Sequence, residues 1–243
     1  MRFLLPALLL CSLLTAIPLS TNASTVDQAP VDLNGTWTID YQTTAVTDFP
    51  IVRDFHITTR AQLVATVEQD GNNIDLTTRV CRLDLVSDLP GARPVAPAAF
   101  AESLPEVRRR AELVESDGEW ELRIHPKWQT VGVNLDDPSN DDLPSDADDS
   151  RVFDQDGDGN PGNTIWIRGA IDGEIYVIQR SWDRWRGRIV DDNTIQGAIQ
   201  WNTEQSVVDS THRILRRQPS ADAHPDPTKN IFRMTRAEGS PPC

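Results

Sequence analysis

The sequence predicts an all-β fold, an antiparallel meander of about eight to ten strands. Three observations predict it. Apolar and polar residues alternate at period two, most clearly at Trp37, Ile39 and Tyr41 and again at Trp120, Leu122 and Ile124. Turn-forming clusters separate these stretches: Asp70-Gly71-Asn72-Asn73, Asp117-Gly118 and Asp191-Asp192-Asn193. Strand patterns do not alternate with long helical ones, so the rhythm of a parallel βαβ sheet is missing.

In chain order, Arg2 precedes an apolar run over residues 3–14, and smaller or polar residues lead to Ala23. That is the layout of an export signal with cleavage after Ala23. The run is too short for a membrane span. Cys11 lies inside it behind the bulky Leu10, which argues against lipidation. Residues 1–23 are therefore read as signal peptide, 24–32 as a flexible leader and 33–243 as a single β domain. The expected location is secreted or periplasmic.

Residues 33–41 open the first strand, 57–69 form the second, and 74–85 form the third, which carries Cys81. Residues 90–97, rich in Gly and Pro, read as a loop. A helical turn or two fits within 98–110, interrupted by Pro105. Leu113-Val114 and Trp120 to Ile124 flank a turn, and 128–135 continue the sheet past Pro126. Asp, Pro and Ser dominate 136–150. With little apolar surface to bury, this stretch is expected to stay mobile. Residues 164–168 resume the sheet. Residues 173–180 carry Ile175 and Val177 on one face and Tyr176 and Ile178 on the other, which predicts cover on both sides. A hairpin follows over 182–190 and 194–201. Residues 203–215 fit a helix face or a strand, 217–227 read as a loop, and 231–236 form the last strand.

The chain has 37 Asp and Glu against 23 Lys and Arg, a formal charge of −14. Loss of Arg2 with the signal makes it one unit more negative. Such a surface repels nucleic acid and anionic membranes and favours cations. Cleavage leaves two cysteines, Cys81 and the final Cys243. Export places them in an oxidising compartment, so one Cys81–Cys243 disulfide is expected.

The chemistry-bearing stretch is Asp154-Gln155-Asp156-Gly157-Asp158-Gly159-Asn160. Carboxylates occupy positions 1, 3 and 5 of a calcium loop, glycine position 6, and the Asn160 carbonyl position 7. Calcium takes six to eight hard oxygen ligands, and converging carboxylates without a cation repel one another. Position 12 is Ile165, so the closing glutamate of an EF-hand is missing. The loop resembles the short calcium loops of thrombospondin type 3 and dockerin modules. One structural Ca2+ is expected on Asp154, Asp156, Asp158 and Asn160, within an acidic loop over 136–163.

Asn34-Gly35-Thr36-Trp37 resembles the Gly-x-Trp opening of lipocalins and the related fatty-acid-binding barrels, the calycins. That resemblance implies a closed barrel rather than a sandwich, with Trp37 plugging one end and Arg233 or Arg236 packed across it. A disulfide from tail to wall would suit it as well. The chain also resembles secreted proteins of Gram-negative bacteria that carry one aspartate loop in a β domain. The family's Thr-Asp-Tyr turn is missing.

No nucleophile constellation stands out. Ser181, Ser206 and Ser210 lack a strained elbow, His212 is near Asp209 only in sequence, and Glu174 with Glu204 is one of many carboxylate pairings. Trp182, Trp185 and Trp201 are the candidate ligand-binding residues, for a small apolar molecule or a glycan. Arg180, Arg184, Arg186 and Arg188 form a basic cluster, for the acidic loop or an anionic ligand. The leading functional expectation is an exported, calcium-stabilised binding module. The alternatives are a structural or surface-associated protein with no internal ligand, and a secreted hydrolase.

Overall fold

The computed structural model describes residues 31–49, 52–239 and 241–243. The export signal, its cleavage position and most of the leader lie outside them. Among the described residues no helix is long and apolar enough to cross a membrane.

Among the described residues, eleven strands form the sheet. They are β1 (Gly35–Phe49), β2 (Val52–Asp70), β3 (Asn73–Ser87), β4 (Ala92–Val95), β5 (Val107–Ser116), β6 (Glu119–Val131), β7 (Asn163–Gly169), β8 (Gly173–Asp191), β9 (Thr194–Ser210), β10 (Ser220–Ala223) and β11 (Ile231–Arg236). A short helix, α1 (Ala98–Ser103), lies between β4 and β5. Eight strands run in the order β8, β6, β5, β3, β2, β1, β11, β9, and pairing of β9 with β8 closes them into a barrel-like ring. All pairings in the ring are antiparallel. β7 and then β4 extend from β8, and β10 adds to β1.

Several boundaries differ from the sequence expectation. The loops over 90–97 and 217–227 contain β4 and β10, each four residues long. The two segments around Arg180 are one strand of 19 residues. The ambiguous 203–215 stretch is strand to Ser210 and then a 3-10 turn at Arg213–Arg216. Residues at the end of the leader are not free. Val31 packs on the core, and the Asp32 carbonyl accepts a hydrogen bond from Arg236.

Alternation decides what faces inward. In β1, Trp37, Ile39, Tyr41 and Thr43 point into the ring, and their neighbours point out. Of the register shifts in the ring, those in β3 and β6 reset the phase of the strand. In β3, Leu63 pairs with Val80 and Gln62 with Arg82, so Cys81 is the extra residue. Inward positions then change from Ile74, Leu76 and Thr78 to Leu83 and Leu85. In β6 the shift falls between Ile124 and Lys127, at His125-Pro126. Proline there costs no ladder bond, because the bulge already interrupts the pairing.

The ring has two halves of different character. One end is filled: Trp37, Ile39, Leu76, Leu122, Ile124, Ile195 and Met234 are almost wholly buried there. Trp37 is sealed from solvent, and the Arg236 guanidinium lies 4.5 Å from the centre of its ring. The other end is wide and is flanked by a second cluster built from Phe100 of α1 with Ile165, Val177 and Val207. Cys81 and Cys243 are bridged, with Cα atoms 4.7 Å apart.

The acidic stretch is an excursion from one edge of β8. β6 pairs along that edge as far as Val131 with Gln179, and β7 takes over at Asn163 with Val177. The chain leaves at Gly132 and returns at Gly162. A Cβ on Gly132 would come 2.6 Å from the Gly162 Cα, and one on Gly162 would come 2.3 Å from the Val177 carbonyl. Only glycine fits this crossing, and both residues have positive φ. Contrary to the expectation of mobility, the excursion has its own small core. Val133, Leu135, Leu143, Ala147 and Val152 pack with Tyr176, Ile178 and Val208. Five apolar residues spaced through a polar stretch were enough, because β8 presents an apolar outer face to receive them. The expected double cover of that part of β8 is therefore found. Arg180 fastens the excursion further by donating to the carbonyls of Pro138 and Asp141.

Candidate functional site

Two sites emerge: the aspartate loop, and the interior of the ring.

The loop lies on the return leg of the excursion. Backbone bonds between Gln155 and Gly162 and between Gly162 and Phe153 pinch its ends together. Asp154, Asp156 and Asp158 each offer a carboxylate oxygen within 4.8 Å of the others. Asp154 is held by the N–H groups of Gly157, Asp158 and Gly159. Asp158 accepts from the Asn160 N–H and the Thr164 hydroxyl. Asp156 accepts from the Thr164 N–H through Oδ2, while its buried Oδ1 has no hydrogen-bond partner among the described residues. Burial, together with the charges of Asp158 and Asp154, pushes the Asp156 carboxyl above its ordinary range despite the Thr164 N–H. Burial also works on Asp158, but its bonds to Thr164 and Asn160 prevail and hold it low. The Asp triad can therefore hold a metal ion, and one of its buried oxygens is without a hydrogen-bond partner among the described residues. A cation there would relieve both the repulsion and the orphaned lone pairs.

Inside the wide half of the ring is a cavity of about 1110 Å³. Tyr41, Leu83, Leu85, Ile165, Val207 and Trp201 are among the residues lining it. Threonines at inward positions, including Thr43, Thr59, Thr78 and Thr203, add hydroxyls to an otherwise apolar wall. At the boundary with the filled half lie Trp185 and a buried ion pair. Arg109 Nη1 is 2.5 Å from Asp183 Oδ1, with side chains 3% and 10% exposed. Asp183 Oδ2 accepts from Trp185 Nε1, and the guanidinium stacks 5.3 Å from the Trp185 ring. The Tyr41 and Phe232 rings pack on Trp185, with ring centres 5.6 and 5.0 Å away. Burial, with the Asp183 charge second, pushes the Tyr41 hydroxyl far up, so it keeps its proton.

The three candidate tryptophans divide. Trp185 and Trp201 line the cavity, and Trp201 donates to Asn230 Oδ1. Trp182 is on the outer face, because an odd separation along a strand reverses direction. It pairs across strands with Trp128. The basic cluster is also on the outer face: Arg180 bonds Glu204 and the excursion, Arg184 bonds Gln200, and Arg188 bonds Glu119. The carboxylates weighed for catalysis do not meet. Glu174 accepts from the Tyr176 hydroxyl, while Glu204 pairs with Arg180. His212 Nδ1 accepts the Ile214 N–H, and Asp209 pairs with Arg216.

Sequence reasoning missed Arg109 and Asp183. The signal for both was phase. Arg109 falls between Val107 and Ala111 on the inward positions of β5, and Asp183 is two residues from Trp185. Compared with protein-family models and with curated proteins, the sequence matches none.

Proposed function

We propose that the protein is an exported binding module that takes a small apolar molecule into its ring and is stabilised by one calcium ion. The cavity of about 1110 Å³ carries the reading, because it is at the large end for ligand pockets and is walled mainly by aliphatic and aromatic side chains. A structural protein with no internal ligand would gain stability by filling that space. Arg236, packed over Trp37, supports the calycin-like reading.

The test is a titration of the mature protein with N-phenyl-1-naphthylamine, an uncharged dye that fluoresces in apolar surroundings. A saturable rise with one site per chain is expected. Leu85→Trp, which narrows the cavity, should weaken binding by about tenfold or more. A dye signal that does not saturate, or that ignores the substitution, would refute the interior site.

Calcium is assigned to Asp154, Asp156 and Asp158 with the Asn160 carbonyl, because the donors are all oxygen and mostly charged. Dissociation constants of about 10⁻⁴ to 10⁻³ M serve extracellular modules of this kind. The ion would close the return leg of the excursion beside Gly162. Free calcium at 100 times the dissociation constant is expected to add about 2.7 kcal/mol of stability. Asp156→Ala should abolish most of that gain and leave the chelated protein no weaker, since a repelled, buried carboxylate is removed. Thermal melts with calcium and with chelator, at matched ionic strength, measure both. Identical parent melts in the two conditions would eliminate the site.

A further inference from the structure

The floor of the cavity has unused hydrogen-bonding capacity of an unusual kind. Arg109 is buried, lines the cavity, and has a buried Nε with no hydrogen-bond partner among the described residues. Its Nη1 contacts Asp183 Oδ1 as an ion pair, and that oxygen accepts no other bond among the described residues. Asp183 Oδ2 is taken by Trp185. The two side chains carry opposite charges and both line an apolar chamber, while their unpartnered atoms are themselves covered. Buried groups in that state are costly unless a partner completes them.

The sign of the pair restricts the partner. A ligand carboxylate approaching Arg109 must also approach the Asp183 carboxylate, and two such charges in a dry site repel. An ammonium meets the same obstacle at Arg109. A neutral group that both accepts and donates meets neither: a small shift of the two side chains would uncover Arg109 Nε to its oxygen and Asp183 Oδ1 to its O–H or N–H. Tyr41, packed on Trp185 beside the pair, adds an uncharged hydroxyl to the same floor. The aliphatic wall above, with Leu83, Leu85, Ile175 and Val207, suits a hydrocarbon tail.

We infer that the Arg109–Asp183 pair is a head-group site selecting a neutral amphiphile, a long-chain alcohol or primary amide, against the corresponding carboxylate. This deepens the binding-module reading and rests on it. The step is binding alone, with no covalent chemistry.

The test compares dodecan-1-ol, dodecanamide and sodium dodecanoate by calorimetric titration of the mature protein, below aggregation of the ligands and at about pH 8, where a free carboxylic acid is ionised. The alcohol and amide are expected to bind tighter than the carboxylate by about tenfold or more. In Asp183→Asn the counter-charge is gone, so the carboxylate should gain on the amide until the order is erased or reversed. The parent's own order is sufficient if that variant does not fold. Parity among the three ligands, or preference for the carboxylate, overturns the inference. If the naphthylamine dye binds while head groups make no difference, only the inference falls. If neither the dye nor any amphiphile binds, the binding-module reading falls with it.

Discussion

Cys243→Ser is expected to destabilise the oxidised protein by about 4–5 kcal/mol, the entropic value for a very long closed loop. The bridged residues are 162 apart in sequence, so the open chain regains nearly the whole domain's worth of freedom when unfolded. The bridge ties the end of the chain to the bulge of β3. From β11 that crosses the two intervening ring strands, β2 and β1. Midpoints of urea unfolding for parent and variant measure the effect. Reductant should bring the parent down to the variant and leave the variant where it is. The unfolded, unreduced mature protein should contain no free thiol. A variant as stable as the oxidised parent would show that the bridge constrains nothing.

Trp37→Ala should cost about 3–5 kcal/mol, the range for emptying a large aromatic site in a core. Three losses coincide. The ring fills the closed end at 0% exposure. Its Nε1 donates to the Leu33 carbonyl at 2.9 Å, and truncation orphans that buried acceptor. Its face receives Arg236, a guanidinium whose N–H groups donate to the carbonyls of Asp32, Asn34 and Asp192. Those carbonyls fix Arg236 in place, so it cannot swing in to fill the hole. Trp37→Phe keeps a ring and should retain part of the stability. Thermal and denaturant unfolding give the order parent, Phe, Ala. An alanine variant that melts with the parent would remove Trp37 as the plug of that end.

The all-β fold was legible because alternation and turn residues are local signals. β11 was read at its observed limits, since Phe232 and Met234 alternate with Ile231 and Arg233 without interruption. Closure of the ring was not local. It depends on β8 pairing with β9 over almost its full length, between residues whose sequence carries no mark of partner choice. Cys81 was legible as a bridge partner but not as a bulge. Its effect on phase shows only when Val80 and Leu83 are both seen facing inward. The aspartate triad was legible because all its members come from one short segment. The interior site was not, since Arg109 and Asp183 are brought together from strands separated by two turns and the excursion. Trp182 was misplaced by grouping aromatic residues by proximity instead of by parity.

The crossing of Gly132 and Gly162 has a consequence for how this chain can change. The thirty or so residues between them begin and end at one point of the β8 edge, so their length is uncoupled from the register of the ring. Residues can be added or removed at the exposed turns of the excursion without shifting any pair in the wall, where one deleted residue would turn every following side chain inside out. The ring is thus bound to its present length, while the acidic flank is free to lengthen, shorten or take a foreign insert. Variation and grafting belong on that flank, and the two glycines mark where it begins.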